Sequence, residues 1–148
     1  MPRDVIALAS DHGGVDLKSL LKDELLKTGH DLLDLGTEGP QSVDYPDFAE
    51  AMAEAIRSGK AKNGVLICGT GIGISIAANR YPFIRAALVN DATTARLARS
   101  HNDANVLVLG GRTMGAEVAK DCLKIFLETP FEGGRHARRV EKMGLART

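Results

Sequence analysis

Short, almost wholly apolar runs alternate with stretches whose apolar residues recur every three or four positions. Val5-Ile6-Ala7-Leu8-Ala9 reads as a first strand. Val15 to Lys27 follows as a helix with Leu17, Leu20, Leu21 and Leu25 on one face. Gly29 stops it, and Leu32-Leu33-Asp34-Leu35 is a second, weaker strand. A loop from Gly36 to Asp44 leads into a helix over Pro46 to Ser58, with proline in its first turn. Val65-Leu66-Ile67-Cys68, Ala86-Ala87-Leu88-Val89 and Val106-Leu107-Val108-Leu109 are strands three to five. Helices are expected from Ile74 to Arg80, Ala92 to Ser100, Met114 to Glu128 and Arg135 to Met143. Strands one, three, four and five do not alternate, as strands buried on both faces require. The pattern predicts an α/β fold: one Rossmann-like, doubly wound, three-layer α/β/α domain over residues 1–148. Its five-stranded parallel sheet is expected in the order 2-1-3-4-5. Sites in such sheets lie at the carboxyl ends of the strands where the order reverses, here between strands one and three.

Composition removes several classes of function. Nineteen basic residues balance nineteen acidic ones, so no global field draws the chain to nucleic acid or membrane. Aromatics are scarce and Trp is absent, which argues against a base-stacking surface. No run approaches the ~18 apolar residues of a membrane span. The start lacks the apolar region of a secretion signal. With only Cys68 and Cys122, this points to a reducing, cytoplasmic setting rather than a disulfide framework.

Polar residues collect at two strand ends: Ser10-Asp11-His12-Gly13-Gly14 and Cys68-Gly69-Thr70-Gly71-Ile72-Gly73. In the expected topology these loops share one rim. The glycine-rich turn permits positive φ and a close ligand approach, and its N–H groups make a concave anion site. The same glycines could serve only a tight turn. Cys68 precedes this turn, where a thiolate is stabilised; an arbitrary cysteine is more often a small core residue. Cys122 fits that description, on a stripe with Met114, Val118, Ile125 and Phe126. Asp11 could cap the next helix and His12 could be a solvated loop residue, but together at the rim they favour chemistry. His101-Asn102-Asp103 stands where helix C-caps occur. His30 reads as structural or solvated. Arg135, Arg138, Arg139 and Lys142 share a helix side, suited to phosphate or simply to solvent. The histidines and cysteines lack metal-ligand spacing, so no catalytic metal is expected.

These pieces, with Asp44-Tyr45-Pro46, the run Cys68 to Arg80, His101-Asn102-Asp103-Ala104-Asn105 and Gly133-Gly134-Arg135-His136-Ala137-Arg138-Arg139-Val140, span nearly the whole chain. The chain resembles the ribose-5-phosphate isomerase B family, which includes galactose-6-phosphate isomerase subunits. The resemblance implies aldose–ketose isomerisation through a cis-enediolate, without metal or organic cofactor, with ribose 5-phosphate/ribulose 5-phosphate as the favoured pair. Four- and six-carbon sugar phosphates are the alternatives. It implies Cys68 as the base; one branch uses a Glu a few residues later, where Ile72 to Ser75 holds no acid. Thr70 resembles the proton-shuttling hydroxyl, and Asp11 and His101 the ring-opening groups. Gly69, Gly71, Ile72, Gly73 and Ile74 resemble the oxyanion turn. His12, Arg135 and Arg139 resemble phosphate ligands, with Arg112 a further candidate, and Tyr45 and Asn102 sugar-hydroxyl contacts. It also implies a homodimer with a shared site, or a tetramer of such pairs.

Two rival readings remain. A dinucleotide-binding oxidoreductase would use the turn after strand three and Asp91, 20 positions beyond Gly71. The glycines read GxGxG rather than GxGxxG, and Asp91 is more simply a helix cap. A non-catalytic sugar-phosphate sensor on the same fold would be expected to lack the base, yet Cys68 and Thr70 are present.

Overall fold

The computed structural model describes residues 4–145. Five parallel strands, β1 (Val5–Ser10), β2 (Asp31–Asp34), β3 (Asn63–Cys68), β4 (Ala86–Leu88) and β5 (Val106–Gly110), form one sheet. α-Helices α1 (Val15–Lys27), α2 (Tyr45–Arg57), α3 (Ile72–Ala78), α4 (Ala92–Ser100) and α5 (Ala116–Glu128) cover it, and α6 (Arg135–Met143) follows α5 in the chain. The α/β class and the reversal point between β1 and β3 are as the pattern predicts.

The strand order is 2-1-3-5-4, not 2-1-3-4-5. Parallel crossovers are right-handed, so the direction of each step decides which face its helix covers. Steps β2 to β3 and β3 to β4 run one way and lay α2 beside α3. Steps β1 to β2 and β4 to β5 run back and lay α1 and α4 on the other face, with α5. The expected order would have crowded α2, α3 and α4 onto one face. Burial agrees: all five residues of β5 are buried, whereas the three of β4 are only half-buried, as an edge strand permits.

Alternate residues of each strand feed two cores. Ile6, Leu8, Val65, Ile67, Leu107 and Leu109 face Leu17, Leu21, Leu25, Ala98, Cys122 and Phe126. Ala7, Leu66, Cys68, Val106 and Val108 face Met52, Ala53, Ile74 and Ala78. Each fully buried Leu, Ile or Phe contributes on the order of 1.5–3 kcal/mol. The α5 stripe runs through Ala119, Cys122, Leu123 and Phe126; Val118 is exposed. Cys122 is therefore a core residue, and burial, then Asp91 and Asp121, push its thiol up to about 11.

Candidate active site

Three loops meet at the carboxyl rim of β1, β3 and β5. The Asp11 N–H donates to the Ile67 carbonyl at 3.2 Å. The Gly111 N–H donates to the Cys68 carbonyl at 2.8 Å, and the Arg112 N–H to the Gly69 carbonyl at 2.9 Å. A Cβ on Gly13 would stand 3.2 Å from the Gly69 backbone, so these turns touch. Asp11 and Cys68 are buried at this junction. Asp11 Oδ1 accepts from the Gly13 N–H at 2.9 Å, so its side chain caps the short turn His12–Gly14.

Cys68 points to the α2–α3 face and its Sγ accepts from the Gly71 N–H at 3.2 Å. Gly71 has φ +80°, the left-handed region that brings its N–H back to the sulfur. α3 then begins at Ile72, two residues earlier than its periodicity suggests. The first-turn N–H groups of Gly73 and Ile74 have no intrahelical acceptor. Thr70 is exposed, and its Oγ1 accepts from the Ile72 N–H at 3.2 Å. The Tyr45 ring lies over Gly73: a Cβ there would fall 2.5 Å from Tyr45 Cζ and 2.9 Å from Oη. Arg112 lies along Gly69, with Nη1 3.4 Å from a notional Cβ.

A second device holds the loop between β2 and α2. Lys18, only 2% exposed, donates to Asp34 Oδ1 at 2.6 Å and to the Thr37 carbonyl at 2.8 Å. Lys22 donates to Asp34 Oδ2 at 2.6 Å and the Gly36 N–H to Oδ1 at 2.9 Å. Burial raises the Asp34 pKa, but the hydrogen bonds from Lys18, Lys22 and Gly36 outweigh it and bring it to about 2. Gly36 and Thr37 also bond both ways with Ser10, at 2.8 and 2.9 Å. The anchored loop returns to the rim, where the Val43 N–H donates to His12 Nδ1 at 3.2 Å. A neutral His12 then carries its proton on Nε2.

Asp11, His12, Tyr45, Cys68, Thr70, the turn Gly69 to Ile74 and Arg112 thus gather at one rim. His101, Asn102, Arg135 and Arg139 do not join them. α4 runs back across the sheet, so its C-cap His101 stands at the amino end of β5. The five residues of β5 separate the two rims by about 16 Å. At that lower rim Asp103 adopts φ +48° and is gripped by Arg99 at 2.9 Å and Arg85 at 3.5 Å. Asn102 borders a cleft of about 360 Å³ with Asn79, Arg85 and Met143. The His101 ring stacks on His136, centroids 4.3 Å apart and planes 13° apart. Both Nε2 atoms face the Glu132 carboxylate, at 3.9 and 4.0 Å. Ligand-type atoms of these three residues lie within 4.8 Å of one another. Near-parallel rings set the two Nε2 atoms side by side rather than aiming them at one point, a poor fit to tetrahedral metal binding. Arg135 and Arg139 are exposed and make no salt bridge among the described residues.

Sequence reasoning misses Lys18 and the Val43 N–H, because neither residue type at its spacing signals a role. It also leaves Glu132 and His136 unassigned, although their four-residue separation was visible. Among the described residues no helix is long and apolar enough to cross a membrane.

Residues 6–143 match the Ribose/Galactose Isomerase family model. The fold superposes on a ribose 5-phosphate isomerase from Thermotoga maritima with TM-score 0.94 and 52% identity, covering 97% of this chain and 99% of that one. Ribose-5-phosphate isomerase B of Escherichia coli is 44% identical over 136 residues, 92% of this chain and 91% of that protein. D-erythrulose-4-phosphate isomerase of Pectobacterium atrosepticum is 41% identical over 140 residues, 94% and 92% of the two chains. The chain belongs to the ribose/galactose isomerase family, a family of aldose–ketose isomerases.

Proposed function

We propose that the chain interconverts ribose 5-phosphate and ribulose 5-phosphate. The observation that carries this reading is Cys68, its sulfur held by the Gly71 N–H beside Thr70 and the first turn of α3. The Cys68 thiolate takes the C2 proton of the open-chain aldose, leaving a cis-enediolate. Thr70 passes the hydroxyl proton between O2 and O1, and Cys68 returns its proton to C1. The turn's N–H groups balance the developing negative charge. A positioned base contributes roughly 10²–10⁴-fold, and each oriented oxyanion donor on the order of 10²–10³-fold. Asp11, together with His101 of a second copy, opens the sugar ring. His12 and Arg112 hold the phosphate, whose remote binding aligns C1 and C2.

The reading requires a second copy. His101 stands at the lower rim, about 16 Å from the rim that holds Cys68, with Asn102 next to it and Arg135 and Arg139 on the helix that carries His136, and a homodimer brings one chain's lower rim to the other's upper rim. Exposed Ile72 and Ile76, one turn apart on α3, offer apolar surface for that contact.

Turnover of four-, five- and six-carbon sugar phosphates, beside Cys68→Ala, tests the substrate. The five-carbon pair is expected to turn over fastest; the Pectobacterium relative's substrate makes the four-carbon pair the competing outcome. Mixing Cys68→Ala with His101→Ala subunits, assayed from the aldose, tests the shared site. Half the dimers are mixed and each regains one of two sites, so activity returns to about a quarter of wild type. No return means each site is built from one chain.

A further inference from the structure

His136 has no part in the reaction described above, yet it is 7% exposed and lies flat against His101. Three observations define what it does. The rings are stacked, so His101 cannot turn about its Cβ–Cγ bond without losing contact with His136. Both Nε2 atoms face one carboxylate, Glu132, whose N–H donates to the Ser100 carbonyl at 3.0 Å at the end of α4. His136 is itself fixed at the start of α6, its N–H donating to the Gly133 carbonyl at 3.0 Å, with Gly133 and Gly134 both at positive φ. We propose that His136 and Glu132 are positioning residues for His101, holding its imidazole in the single orientation that serves opening of the sugar ring.

The charge pattern supports this arrangement. Burial first, then His101 and Arg135, lower the His136 pKa; Glu132 opposes them and Arg139 adds to the lowering. Two stacked imidazolium rings repel, which adds to burial in disfavouring the charged form of His136. His136 is buried and His101 is the more exposed of the two rings, so His101 is the one within reach of substrate. His136 touches no substrate atom in this account.

The inference rests on the ring-opening role of His101, and carbohydrate chemistry separates the two. Ribose 5-phosphate closes through O4 and must be opened. Ribulose 5-phosphate would need O5 to close, and O5 carries the phosphate, so it stays open. Turnover from the ketose can end by releasing open-chain ribose 5-phosphate, which closes in solution, so a residue serving ring opening acts on turnover from the aldose and spares turnover from the ketose.

The experiment measures kcat and KM in both directions for full-length His101→Ala, His136→Ala, His136→Phe and Glu132→Gln, with thermal melting to monitor folding. His101→Ala is expected to lower aldose kcat by about 100-fold, and His136→Ala by about 10-fold, with ketose kcat within about twofold of wild type. His136→Phe keeps a flat ring in the same space and is expected to restore most of the aldose kcat lost in His136→Ala. Glu132 is exposed, so Glu132→Gln should fold normally and lower aldose kcat by a few-fold. Equal losses in both directions for the His136 variants, or no loss, overturn the positioning role while His101→Ala keeps its directional split. Failure of the split in His101→Ala itself overturns the ring-opening reading and this inference with it.

Discussion

Replacing Asp34 by Asn tests whether the buried Lys18–Asp34–Lys22 cluster anchors the loop that reaches His12. Asp34 has a pKa of about 2 in the folded chain, against an ordinary value of 3.8. Burial acts against this shift, and the bonds from Lys18, Lys22 and the Gly36 N–H produce it. At about 1.4 kcal/mol per unit, the ionised carboxylate contributes about 2 kcal/mol to folding. A depressed carboxyl pKa gives stability that is complete above the unfolded value. It is lost as pH falls through the folded value, here from about 4 down to about 2. Asp34→Asn also leaves Lys18 buried, with the Thr37 carbonyl and Glu38, 3.7 Å away, as its remaining partners. Breaking such a buried pair costs about 3–5 kcal/mol. The expected loss at pH 7 is therefore about 3 kcal/mol, read as the shift in urea midpoint at constant slope. Repeated at pH 4 and pH 3, the gap between wild type and variant should begin to narrow below pH 4. Lys18→Met added to Asp34→Asn should cost far less than Lys18→Met alone, since the unpaired ammonium is gone. A gap below about 1 kcal/mol at pH 7, or one unchanged at pH 3, refutes the reasoning.

Other consequences are as direct. Gly71→Ala places a Cβ 2.6 Å from Leu88 Cδ1 and 3.0 Å from the Leu109 carbonyl oxygen at φ +80°. Left-handed backbone costs about 1–2 kcal/mol and overpacking about 1–3 kcal/mol, so urea unfolding should show a loss of about 2–5 kcal/mol; a loss under about 1 kcal/mol contradicts this. Val43→Pro removes the N–H that fixes the His12 ring, and KM should rise about fivefold, the equivalent of about 1 kcal/mol, with kcat held. Cys122, fully buried with its pKa near 11, should escape iodoacetamide at pH 8 in the native protein, as mass spectrometry of peptides would report. Labelling of Cys122 before unfolding would show that the α5 core opens.

Hydrophobic periodicity by itself determined the elements, because a strand buried on both faces must be apolar throughout and a surface helix must carry one apolar stripe. The motifs at Asp11–His12 and Cys68–Gly73 were legible for the same kind of reason. Glycine at a left-handed position and a thiol beside it are local requirements, written in adjacent residues. The order of β4 and β5 was not legible: both runs are apolar, and the full burial of β5 against the half-burial of β4 at the edge arises only in the assembled sheet. Nor was the start of α3, where the backbone at Gly71 overrides the stripe. The separation of His101 from Cys68 also belongs to the tertiary structure, because the length of β5 sets it and linear spacing carries no trace of it. The same holds for Lys18, whose charge suggests solvent until Asp34 and the Thr37 carbonyl close around it, and for His136, which meets His101 only after the 34 intervening positions fold back. Local conformational demands are encoded residue by residue; pairings between distant segments emerge only when burial and chain connectivity are satisfied together.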